Sequence, residues 1–98
     1  MNFRFHSEAE QELYAAIDYY EDCNKGLGYD FAIEVHSAVE RIMAYPNAWP
    51  VLEDGIRRCL TRRFPFAILY ITEPDNIYIL AIMNLHREPG YWNQRADG

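Results

Sequence analysis

Four arginines stand within seven positions, Arg57, Arg58, Arg62 and Arg63 of the segment RRCLTRRF, in a chain of 98 residues whose formal net charge is −6. Guanidinium groups bind carboxylates and phosphates and stabilise developing negative charge, so such a cluster suits an acidic partner or a phosphate-bearing one. The remaining charge sharpens the contrast. Up to position 54 the chain carries eleven acids against three basic residues, a net of −8; beyond it, six arginines face four acids, a net of +2. A sequence pI near 4.9 argues against broad, non-specific nucleic-acid binding, which needs a net basic footprint. A local arginine site is compatible with it.

The other reactive side chains are sparse. His6 and His36 have no Cys, Asp or Glu at a recognisable ligand spacing, so they read as ordinary polar residues and no metal or cofactor is implied. His86 can carry a proton near neutral pH. Cys23 and Cys59 form no C-x-x-C pair and read as reduced thiols. Trp49, after Pro46, is an aromatic candidate for partner contact, and Tyr91 and Trp92 are expected to anchor the tail to the body.

The elements that must position these residues follow from periodicity. NFRFH, residues 2–6, alternates as a short strand does. Ser7 and Glu10 have capping-box spacing, and Ala9, Leu13, Ala16, Ile17 and Tyr20 recur at helical intervals, predicting a helix to about Asn24. Gly26 and Gly28 supply a turn. Phe31, Val35, Ala38, Val39 and Ile42 restart the period to about Tyr45, before Pro46. Strands are expected over 56–63, 66–72 and 77–83, the last two divided by the turn EPDN and apolar on both faces. From Pro89-Gly90 a final helical turn or an extended end follows. The expected class is α+β: strand, two-helix hairpin, three strands, with a mainly antiparallel sheet and the helices packed on one face.

One domain spanning residues 1–98 is expected from the size of the chain. No apolar run is long enough to span a bilayer and no signal-peptide pattern is visible, so a cytoplasmic protein is expected.

Particular residues go further than the order of elements. YYEDCNKGLGYDFAIEV at 19–35, Arg41-Ile42, Tyr45-Pro46, RRCLTRRFPFAILY at 57–70, ILAI at 79–82 and REPGYW at 87–92, with Arg95 beyond, resemble the RelE/ParE superfamily of type II toxin–antitoxin toxins. The likeness is greatest to its ParE-type and plasmid-stabilisation members. The resemblance implies a growth-inhibiting toxin neutralised by a cognate antitoxin that wraps it. ParE-type members poison DNA gyrase, whereas RelE-type members cut messenger RNA on the ribosome using cationic side chains.

On the RelE-type pattern Arg58, Arg62, His86 and Tyr91 are the catalytic candidates. The set is incomplete: Ala67 and Leu85 stand where that pattern wants basic residues. A binding toxin is therefore the favoured reading, with Arg58, Arg62, Arg63, Trp49, Arg87, Tyr91 and Trp92 as partner-binding candidates. A ribosome-dependent endoribonuclease is the alternative, and the acidic balance leaves a third, a relative that has lost toxicity. In strict alternation Arg58 and Arg62 share one strand face and Arg57 and Arg63 the other, where an arginine can equally serve as sheet support.

Overall fold

The computed structural model describes residues 2–87 and 90–97, except the side chain of Asp97; Glu88 and Pro89 of REPGYW lie outside the described residues. A short strand β1 (Asn2–Phe5) leads into α1 (Ser7–Cys23), which is followed by α2 (Leu27–Ala44). Strands β2 (Val51–Glu53), β3 (Ile56–Leu60), β4 (Phe66–Thr72) and β5 (Asn76–Asn84) come next, and a 3-10 turn, Asn93–Asp97, closes the chain. The sheet has the order β1-β5-β4-β3-β2 and is antiparallel except for the β1–β5 pair. The expected α+β arrangement is present, with an additional edge strand, β2, that periodicity did not reveal.

Helix α1 starts one residue earlier than a Ser7 cap would place it. His6 is the capping residue, its Nδ1 accepting the N–H of Glu8 at 3.1 Å. The hairpin turn is closed by Glu21, whose carboxylate accepts the N–H groups of Gly26 and Gly28 at 3.0 to 3.1 Å. That carboxylate thus satisfies donors left free at the start of α2, where negative charge also complements the helix dipole. Gly26 takes φ +89, a left-handed conformation suited to glycine.

The sheet has two apolar faces. Toward the helices, Cys59, Phe66, Ile68, Tyr70, Ile77, Ile79 and Ile82 pack with Phe31, Val35, Ala38, Val39 and Ile42 of α2 and Ala9 and Ala16 of α1. On the opposite face Ile56, Ala67, Leu69, Tyr78, Leu80, Ala81 and Met83 form a second cluster, partly roofed by Trp92 from the tail. In β5 the alternation slips: Tyr70 pairs with Ile79 and Leu69 with Ala81, leaving Leu80 without a cross-strand partner. This bulge turns both Leu80 and Ala81 to the second face and returns Ile82 to the helices.

Strand β3 ends at Leu60, earlier than expected. The hydroxyl of Thr61 donates to the Phe64 and Phe66 carbonyls, while Glu34 of α2 accepts the N–H groups of Arg62 and Arg63. Residues 61–65 are thereby held in a turn against α2 instead of continuing the ladder.

Candidate functional site

The register of β3 sorts its arginines. Cys59 lies in the helix-side core and Ile56 in the second face, so Arg57 points toward the helices and Arg58 away from them. The Arg57 guanidinium donates to the carbonyls of Trp49 at 2.6 Å and Asn47 at 3.2 Å, tying the loop after α2 to the sheet. Arg63, at the β3–β4 turn, pairs with Asp30 of α2 at 3.1 Å. These two arginines hold elements together. Among the described residues the guanidinium groups of Arg58 and Arg62 make no hydrogen bond or ion pair, Arg62 being exposed and Arg58 half-buried.

Arg58 lines a cleft of about 350 Å³ on the second sheet face, together with Leu52, Glu53, Met83, Gly90 and Trp92. In the register Arg58 faces Leu69, which faces Ala81, so the guanidinium projects from the same face as the second apolar cluster. Trp92 is 3% exposed, and its indole N–H is buried without an acceptor among the described residues. Leu52 of its wall remains exposed, as does Leu60 two residues beyond Arg58 on β3.

The other candidates lie elsewhere. Tyr91 lines a second cleft, of about 290 Å³, with Glu12, Ala15, Ala16, Tyr19, Tyr20 and Arg87 among its walls. The Arg87 guanidinium stacks 3.7 Å from the Tyr91 ring centroid and lies 3.7 Å from the Glu12 carboxylate. Burial, followed by the neighbouring Glu12 charge, pushes the Tyr91 phenol well above its usual range. Trp49 packs partly against the helix-side core, and His86 is exposed in the turn after β5. Arg58 and Tyr91 thus line different clefts. Burial likewise pushes the Cys59 thiol up, against the pull of Arg41 and Arg62, so it remains a neutral core group.

Two residues that periodicity did not single out organise this region. Arg95 of the tail donates to the Glu12 carboxylate at 3.0 and 3.1 Å and to the Leu80 carbonyl at 2.9 Å. Glu12 stands next to Leu13 and one turn before Ala16 of the apolar stripe, and that placement is its only signal in the sequence. Among the described residues no group of three or more His, Cys, Asp or Glu is placed to hold a metal ion, and no helix is long and apolar enough to cross a membrane.

The sequence profile described as ParE toxin of type II toxin–antitoxin system, parDE, matches residues 3–89. The chain belongs to the ParE toxin family. Within this ParE-family chain the match takes in both helices, strands β2 to β5 and all of β1 but Asn2, and stops before Tyr91, Trp92 and Arg95. A solved structure described as the chromosomal ParDE TA system from P. aeruginosa is similar in fold, with a TM-score of 0.77 and 20% sequence identity, covering 88% of this chain and 97% of that chain. No curated protein matches the chain.

Proposed function

We propose that this ParE-family chain inhibits growth by binding a target, DNA gyrase being the family's implied one, and that a cognate antitoxin neutralises it in the cytoplasm. The observation that carries the reading is the separation of the candidate ribonuclease groups. Arg58 lies in the cleft on the open sheet face, whereas Tyr91 is stacked beneath Arg87 in another cleft with its phenol held protonated. Position 67 adds only a methyl group to the face on which an additional cation would have to act. Cutting RNA without a metal requires cations and a proton-transfer group around one phosphate. Binding requires only a complementary surface, and Arg58 and Arg62 supply half-buried and exposed guanidinium donors that no described residue occupies.

The test is induced expression without antitoxin, with gyrase-trapped DNA breaks and messenger RNA cleavage assayed in the same cultures. Growth arrest with trapped breaks and intact message is the expected result. Message cleavage that disappears in Arg58→Ala would replace this reading with the ribonuclease one, and normal growth would leave a non-toxic relative.

A further inference from the structure

We propose that the outer edge of β1 is a self-association surface, at which a second copy of this chain adds its own β1 antiparallel and the two sheets become continuous. The bond directions of β1 dictate how. It pairs with β5 in the register Arg4↔Tyr78 and Phe5↔Ile79, and the N–H of His6 donates to the Ile79 carbonyl at 2.8 Å. In a parallel ladder alternate residues bond the neighbour, so Arg4 and His6 turn their main-chain groups toward β5 while Phe3 and Phe5 turn theirs outward. β1 is the last strand of the sheet, and no described strand receives those groups. The side chains also divide. Phe3 and Phe5 lie on the helix side beside Ile77 and Ile79, whereas Arg4 lies on the other face, 3.6 Å from the Tyr78 ring centroid. A two-fold axis perpendicular to the sheet keeps each side chain on its own face. Under it, setting Phe3 against Phe5 of the second copy in both directions uses every outward group of the two phenylalanines and brings four phenyl rings together. Arg4 then stands opposite its counterpart in the non-hydrogen-bonded position.

Charge and symmetry favour a second copy as the occupant. Two chains of net charge −6 repel each other, so they can meet only where acids are absent. Beside this edge a groove of about 240 Å³ runs between Phe3 and Phe5 and the helix side chains Leu13, Val35 and Val39, and none of its lining residues is acidic. Arg4 is neutralised by Glu73 at 3.1 Å, which removes most of the like-charge cost of the Arg4 pair. Edge strands are usually blunted by proline, lysine or a bulge, and β1 has none of these, its Phe3 being 41% exposed. The opposite edge differs. β2 has three residues and its register shifts between Val51 and Glu53. A two-fold contact supplies an aromatic partner at both positions automatically, because the same patch is presented by each copy. Four residues per strand make a small contact against the roughly 1,200 Å² of stable interfaces, so the dimer is weak and concentration-dependent.

Sedimentation velocity of the full chain, from low to high micromolar concentration, should show a shift from monomer to dimer. Phe3→Ala should weaken the dimer several-fold through the lost ring, and Phe3→Pro should abolish it, because proline also removes an outward N–H that the monomer does not use. Thermal melts of both variants check that the fold survives. The register is read by crosslinking with diamide in a Cys23→Ser background, Cys23 being exposed. Arg4→Cys places two thiols on α-carbons about 4.5 Å apart, within disulfide reach, and should give a covalent dimer. Asn2→Cys places them roughly 13 Å apart and should not. If Phe3→Pro fails to fold, the crosslinks alone decide. A chain that stays monomeric throughout, equal dimerisation of Phe3→Ala and Phe3→Pro, or equal crosslinking from positions 2 and 4 would overturn the proposal. A monomeric chain whose antitoxin affinity falls in Phe3→Pro would also overturn it, giving the edge to the antitoxin.

Discussion

The Arg95 guanidinium donates to the carbonyl of Leu80 at 2.9 Å, reaching the residue at which β5 bulges and its pairing with β1 ends at Ile79. One residue pair on, the N–H of Ile82 is received by the Glu12 carboxylate at 3.0 Å, and the two side chains bond each other at 3.0 and 3.1 Å. A short first strand leaves the far half of β5 without a neighbour on that side. An acid from α1 and an arginine from the tail take up backbone groups that a longer β1 would have paired.

That arrangement predicts a large cost for cutting it. Arg95 and Glu12 side chains are 8% and 15% exposed, so Arg95→Met leaves a nearly buried carboxylate with only the longer 3.7 Å ion pair to Arg87, and an unpaired carbonyl. The expected loss is about 3 kcal/mol, a fall in Tm on the order of 15 °C. Glu12→Gln, which keeps an acceptor for the Ile82 N–H, should cost less than Arg95→Met. Urea unfolding of the two variants decides it, and a loss below about 1 kcal/mol for Arg95→Met would mean that water replaces the staple without penalty.

The same region shows what the sequence could and could not disclose. Both helices and the three central strands were legible because a one-sided apolar stripe and a β-branched run are local signals. The bulge at Leu80 was not: in ILAI every residue is apolar, so a slip of phase changes nothing in the pattern while exchanging the faces of all that follows. Val51–Glu53 is a strand only because β3 lies beside it, with three residues and no alternation to mark it. Among the arginines, type and position pointed to the site, but which of them were engaged depended on partners that only the fold brings near, Asp30 for Arg63 and the Trp49 carbonyl for Arg57.

Gly28 is set by a close approach. A Cβ there would lie 2.6 Å from the Ile17 carbonyl oxygen and 3.0 Å from the Glu21 Cβ, inside the contact between the two helices. Ala is the better helix former by about 1 kcal/mol in a helix interior, but Gly28 sits in the first turn of α2 and the clash is with backbone. Gly28→Ala should therefore destabilise by about 2 kcal/mol. Chemical denaturation reads it directly, and a stabilised Gly28→Ala would mean that the hairpin separates at little cost.

Alkaline pH should unfold the chain earlier than exposed tyrosines would require. Tyr70 is fully buried, its hydroxyl donating to the Pro46 carbonyl at 2.7 Å, and burial pushes its phenol up to about 12. The unfolded chain releases that proton near pH 10 and the folded chain does not, so the stabilisation is complete below about pH 10 and lost as pH rises toward 12. Tyr91 adds to the same limb, its phenol also being pushed up by burial and Glu12. Tyr70→Phe should cost about 1 kcal/mol at neutral pH through the lost hydrogen bond and make the fall between pH 10 and 12 shallower. Melting curves at half-unit steps of pH test both statements; a parallel pair of curves would assign the alkaline limb to other groups.

The four clustered arginines should separate into two thermodynamic kinds. Arg57 holds two carbonyls of the loop after α2, one of them at 2.6 Å, so Arg57→Ala should cost about 1.5 kcal/mol, mostly from charge-assisted bonds to main chain. Arg63 pairs with Asp30 across an exposed surface, with side chains 60% and 45% exposed, and Arg63→Ala should cost less than about 1 kcal/mol. Arg58→Gln and Arg62→Ala remove no bond among the described residues and should leave the melting temperature within about 2 °C of the parent. Antitoxin affinity should run in the opposite order, with Arg58 and Arg62 the sensitive positions and Arg57 changed only as far as its fold is. Parallel measurement of melting and binding on the four single variants distinguishes support from recognition at each site. If binding and stability fall together at every position, the cluster serves the sheet alone.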